Sequence, residues 1–149
     1  MLEQTLEQDI KTALLAGDKQ KATTLRGLKA VLLNVKVATG KRDSGLSDEE
    51  VLQQFSKQSK QRQESADMYL QGGDQGRADA ELTEKAVIDA YLPAQLDETE
   101  ITKLIDEVIT QIGASGPQAM GQVIGQVKGR AGAAADGAVI ARLVKEKLL

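Results

Sequence analysis

The chain has 149 residues, a formal net charge of −3, and neither cysteine nor histidine. Those two absences remove disulfides, thiolate nucleophiles, Cys-based zinc sites, the commonest general base and the commonest metal ligand together. One Phe, two Tyr and no Trp leave little to stack on a base, so the core must come from Leu, Ile, Val and Ala, a mix suited to packed helices.

The length allows one ordinary domain or two small ones. The opening MLEQTLEQDIK is acidic and amphipathic and does not read as a signal peptide. No stretch approaches the roughly 18 apolar residues of a membrane helix. The expectation is a soluble cytoplasmic protein that does not touch a membrane.

Leu2, Leu6, Ile10 and Leu14 recur every four residues and predict a first amphipathic helix, stopped at Ala16-Gly17 and followed by a new cap at Asp18. Leu25, Leu28, Leu32 and Val35 mark a second helix over about 19–38, ending at Gly40. Ser47 with Glu50 three residues later has capping-box spacing, so a third helix starts at Asp48. That helix carries Leu52, Phe55, Ala66 and Tyr69 on one stripe and breaks at Gly72-Gly73. Its middle, SKQSKQRQES, is poor in apolar residues, the mark of a segment that projects from the bundle or receives a partner. A fourth helix over about 79–91 ends where Pro93 disfavours helix at the residue before it.

Asp97 and Glu100 repeat the capping-box spacing, and Ile101, Leu104, Ile105, Val108 and Ile112 give a fifth helix a continuous apolar face. Gly113 closes it, and Pro117 sits where a first-turn proline is tolerated. Met120, Val123, Ile124 and Val127 give a shorter sixth helix, ended by Gly129 and Gly132. Asp136 caps a seventh. No run alternates with period two long enough to be a strand. The fold class is therefore all-α: a four-helix region, 1–92, followed by a small three-helix unit, 93–149, joined at YLPAQLDE.

The glycine-rich stretch near the end lacks the Gly-Lys-[Ser/Thr] of a P-loop and the feeding strand of a dinucleotide fingerprint. Gly129-Arg130-Ala131-Gly132 matches the G-x-x-G loop of KH domains, but that fold needs strands. The stretch reads as a joint, though a charged one that carries Lys128 and Arg130. The small unit reads as having an acidic side, on Asp97, Glu98, Glu100, Asp106 and Glu107, and a basic side formed with Arg142, Lys145 and Lys147.

Between Lys19 and Arg42 there are seven basic residues and no acid. Lys19, Arg26, Lys29 and Lys36 are read as falling within about a third of the helix circumference, opposite the leucine stripe. Lys60 and Arg62 of the third helix add to this patch, and such a local basic footprint is what a net acidic chain would need to bind nucleic acid. The alternative is a solvated face whose cations pair with neighbours such as Glu81, Glu84 and Asp89. The serines sit at caps or polar faces, and no carboxylates have metal-binding spacing. No catalytic residue, metal or cofactor is expected.

TLRGLKAVLLN (24–34), KQRQES (60–65), AYLPAQL (90–96), MGQVIG (120–125) and ADGAVIARLVKEKL (135–148) closely resemble segments of the YqeY-like family, in order and over essentially the whole chain. That family's domain is similar to the carboxyl-terminal tail of the B subunit of the glutamine-dependent aspartyl/glutamyl-tRNA amidotransferase. The resemblance implies an all-α fold, tRNA as partner, and a kinship with carbon–nitrogen ligase activity that uses glutamine as amide donor. It also implies association with the amidotransferase or another translation-related protein. Carried over residue by residue, the matching basic positions are Arg26, Lys29, Lys60 and Arg62. Relatives tend to have Gly-Arg-Ala-Asp before the last helix, where this chain has Ala133-Ala134-Ala135-Asp136. The expected function is a non-catalytic tRNA-binding accessory module using Lys19, Arg26, Lys29, Lys36, Lys60, Arg62, Lys128 and Arg130. A helical protein–protein interaction adaptor is the alternative.

Overall fold

The computed structural model describes all 149 residues and contains no strand. The chain divides into two compact units, Met1–Leu92 and Pro93–Leu149. Four helices lie in the first: α1 (Leu2–Leu15), α2 (Lys19–Ala38), α3 (Asp48–Gln71) and α4 (Gln75–Asp89). The second holds α5 (Glu98–Ile112), α6 (Met120–Ala131) and α7 (Gly137–Leu148), with 3-10 turns at Pro117–Ala119 and Gly132–Ala134.

Local sequence sets most helix ends. Asp18 accepts from the Lys21 N–H and starts α2 one residue after Gly17, whose φ is +74°. Both capping boxes close: Ser47 and Glu50 exchange bonds with each other's backbone N–H at the start of α3, and Asp97 and Glu100 do so at α5. Each such cap is worth about 1 kcal/mol. Gly113 ends α5 in the left-handed region. Two ends differ from the sequence expectation. α4 begins at Gln75, four residues earlier than 79, because Asp74 accepts from the Arg77 N–H and its cap outweighs Gly76 in the first turn. α6 runs through Gly129, which is helical, and only Gly132 (φ 54°, ψ −131°) breaks it.

In the first unit Leu6 and Ile10 of α1, Leu25, Leu28 and Leu32 of α2, Val51 and Phe55 of α3 and Ile88 of α4 form one buried cluster, with Leu46 from the loop. Burying each large side chain contributes about 1.5–3 kcal/mol. Phe55 meets Tyr91 edge-on at 5.4 Å between centroids, and the Tyr91 hydroxyl donates to Asp9, tying the end of α4 to α1. The second unit has its own core, from Ile101, Ile105 and Val108 of α5, Val123 and Val127 of α6, and Ile140, Leu143 and Val144 of α7. Within it, the Leu96 N–H donates to the Ala134 carbonyl at 2.8 Å and Gln95 donates to that of Ala133 at 3.0 Å. The segment after Pro93 is thereby pinned to the α6–α7 joint.

Candidate nucleic-acid interface

α2 carries five cations and no acid over twenty residues. Its core face is set by Leu25, Leu28 and Leu32, and the residues that point away from that face are Lys19, Thr23, Arg26, Gly27, Ala30, Leu33, Asn34 and Val37, all exposed. Lys19 and Arg26 stand on this outward face with no acidic partner, about 10 Å apart along the axis. Beside Arg26, Gly27 has nothing within 4 Å of where a Cβ would stand. A mid-helix glycine costs roughly 1 kcal/mol relative to alanine, and packing within the protein gives no return for it.

The cations expected to continue this ridge behave differently. Lys29 meets Glu7 of α1 at 2.9 Å, and Lys36 meets Glu3 at 3.1 Å. They flank the apolar stripe rather than oppose it. Lys36 follows Leu25 by eleven residues, about 20° from a whole number of turns, so it shares the leucine side. Their partners are acids of α1, not Glu81, Glu84 or Asp89. Lys29 nevertheless remains 56% exposed, against 23% for Lys36, so Lys29 can exchange its carboxylate for another anion while Lys36 is held.

On α3, Arg62 is tied to Glu84 at 3.3 Å and to the Gln58 amide oxygen at 2.7 Å. Lys60 is not a free cation either. In the second unit the Lys128 side chain folds back over the start of α7, its Nζ 3.2 Å from the place of a Gly137 Cβ. Arg130 donates to Gln111 of α5. The expected acidic and basic sides of this unit meet each other instead: Arg142 pairs with Glu98 and, at 3.1 Å, with Glu146, and Lys147 pairs with Asp106 at 3.0 Å. Hydrogen bonding to Glu146, then the charge of Glu98, raises the Arg142 pKa further. Among the expected residues of the first unit, Lys29, Lys36 and Arg62 are each held by a carboxylate, whereas Lys19 and Arg26 are not. Lys19 and Arg26 are the cations on the α2 face away from the leucines, with Lys29 beside them and Lys21 exposed in the first turn.

No three carboxylates converge in a way that could hold a metal ion, and no helix is long and apolar enough to cross a membrane. Comparison with known families gives a match to the description "Yqey-like protein" over residues 3–148. The chain belongs to the YqeY-like family. Arg26, Gly27 and Ala30 thus lie in one of the segments by which this YqeY-like chain is recognisable, TLRGLKAVLLN. The chain is also similar to a protein of Eremothecium gossypii named "Altered inheritance of mitochondria protein 41, mitochondrial", with 37% identity over 89 residues. That match covers 60% of this chain and 48% of the relative, so the YqeY-like chain matches about half of that protein's length.

Proposed function

We infer that this YqeY-like protein is a tRNA-binding accessory module without chemistry of its own. The reading follows the amidotransferase B-subunit tail that the sequence resembles, with a kinship to glutamine-dependent carbon–nitrogen ligase activity and a translation-related enzyme as partner. One observation carries it: the outward face of α2 sets the unpaired Lys19 and Arg26 beside an open Gly27, on a helix with no acid. Phosphates are drawn to such cations, and the glycine lets a backbone come close. Lys29 joins once it leaves Glu7, since an exposed ion pair is worth only about 0–1 kcal/mol. The cytoplasm is the setting proposed, although the Eremothecium relative is named as mitochondrial; a translation system with its own tRNAs operates in either.

Titration of the purified protein with total tRNA at two salt concentrations tests this. Three phosphate contacts give a log–log salt slope of roughly −2 to −3. The paired substitution Lys19→Glu and Arg26→Glu lowers the affinity at least tenfold. Lys19 is the first residue of α2, where an acid suits the helix dipole, so helicity is retained. Unaltered affinity in that variant overturns the reading. The second reading, a protein-interaction adaptor, is favoured by Leu33 and Val37, which are 45% and 61% exposed on the same face; it expects binding that salt barely alters.

A further inference from the structure

The α3–α4 hairpin outruns the bundle that anchors it. α3 has 24 residues and is about 36 Å long. Its part in the first core is Val51 and Phe55, in its first two turns, met by Val87 and Ile88 near the end of α4. Beyond them the two helices hold each other through Ser59, Ala66 and Ala78, small side chains that bury little apolar area. The expectation that the polar middle of this helix projects from the bundle thus has a physical form.

Charge in this unit is segregated. Between Gln63 and Glu84 six acids face one cation, Arg77, whereas α2 holds five cations and no acid. Along one side of the hairpin an open groove of about 480 Å³ is lined by Arg62, Glu64, Ser65, Met68, Glu81 and Glu84. Its one guanidinium is held by Glu84, so the two remaining carboxylates, Glu64 and Glu81, set the sign of the rim. Met68 lines the same groove and is 71% exposed. An exposed thioether among carboxylates adds nothing to this fold, but a flexible, polarisable side chain suits a contact surface.

We propose that this groove docks a protein partner through a cationic amphipathic helix, with Lys or Arg heads on Glu64 and Glu81 and its apolar face on Met68. Charge selects the occupant: a nucleic acid or an anionic lipid surface is repelled by the same carboxylates that attract the helix.

The probe is a fluorescent synthetic peptide with one lysine face and one leucine face, titrated into the full chain and followed by anisotropy. Saturable one-to-one binding is expected, at least tenfold weaker for Met68→Ser and for the pair Glu64→Lys and Glu81→Lys. Circular dichroism checks that these variants, altered at accessible positions, keep their helices. A control peptide with serine in place of leucine binds at least tenfold more weakly, and Lys19→Glu with Arg26→Glu leaves binding unaltered, which separates this surface from the tRNA reading. Equal affinity for the hairpin variants, equal affinity for the serine peptide, or no saturable binding overturns the proposal. So does self-association in sedimentation equilibrium that the hairpin variants abolish, because the occupant is then a second copy of the chain.

Discussion

Lys29 and Glu7 close an ion pair at 2.9 Å between α2 and α1 with both side chains more than half exposed, whereas Lys36 and Glu3, at 3.1 Å, are both under a quarter exposed. Two pairs of the same chemistry therefore differ in solvent access. The first is screened and cheap to break. The second sits where water competes less, with one oxygen of Glu3 shielded from solvent.

Replacement of Glu7 by glutamine frees the Lys29 ammonium without emptying the position. Thermal stability is expected to move little, since the pair is exposed, while tRNA affinity at low salt rises severalfold because Lys29 no longer has to leave a carboxylate first; the salt slope keeps its three-contact value. Filter binding of wild type and Glu7→Gln side by side checks this. Lys36→Ala, in contrast, leaves tRNA affinity unaltered.

Acid should destabilise the first unit through identifiable groups. The Glu7 carboxyl is held below its ordinary range by the hydrogen bond and charge of Lys29, and that of Glu50 by the hydrogen bond from Lys41 and the Ser47 N–H. Both pKa values are lower folded than unfolded, so their contribution is present above the usual carboxylate range, near pH 4.3, and is lost as pH falls below it. Glutamine at position 50 can still accept the Ser47 N–H bond but does not titrate. Urea midpoints measured between about pH 5 and pH 3 are therefore expected to fall less steeply in Glu50→Gln than in wild type.

Alkali acts through a different residue. Burial, followed by the hydrogen bond to Asp9 and its charge, pushes the Tyr91 hydroxyl well above its ordinary pKa. The folded value lies above the unfolded one, so this stability is intact below about pH 10 and drains away as pH rises beyond it. Tyr91→Phe keeps the edge-on ring packing against Phe55 but leaves the Asp9 carboxylate without its donor, at a cost of about 1–2 kcal/mol near neutrality. The signature is a stability difference between wild type and Tyr91→Phe that narrows between about pH 10 and pH 11.

What the sequence could convey divides by range. Ser47/Glu50 and Asp97/Glu100 are four-residue signals, and both capping boxes form. The all-α class is equally local, since helical spacing runs from Leu2 to Leu148. The start of α4 misleads because Gly76 in its first turn masks the Asp74 cap. The pairing of Lys29 with Glu7 and of Arg142 with Glu98 is tertiary, and no spacing within one helix encodes it. The position of Lys36 was legible: eleven residues after Leu25 is close to three full turns, which places it beside the core. The acidic groove at Met68 needed the folded hairpin, because Glu64 and Glu81 lie on separate helices.

The glycines of α6 give a test that separates helix propensity from close packing. Gly121, Gly125 and Gly129 recur every four residues, and none has an atom within 4 Å of a Cβ placed on it. In the isolated protein each is then an uncompensated loss of helix propensity, so Gly125→Ala is expected to stabilise by about 0.5–1 kcal/mol. Gly132 shares the composition but not the conformation: at φ +54° a Cβ is strained, and Gly132→Ala is expected to destabilise by about 1–2 kcal/mol. Thermal unfolding of the two single variants should therefore shift in opposite directions from wild type. A fall in midpoint for Gly125→Ala would mean that another surface closes on this face of α6, and the space beside the helix would then not be open in solution.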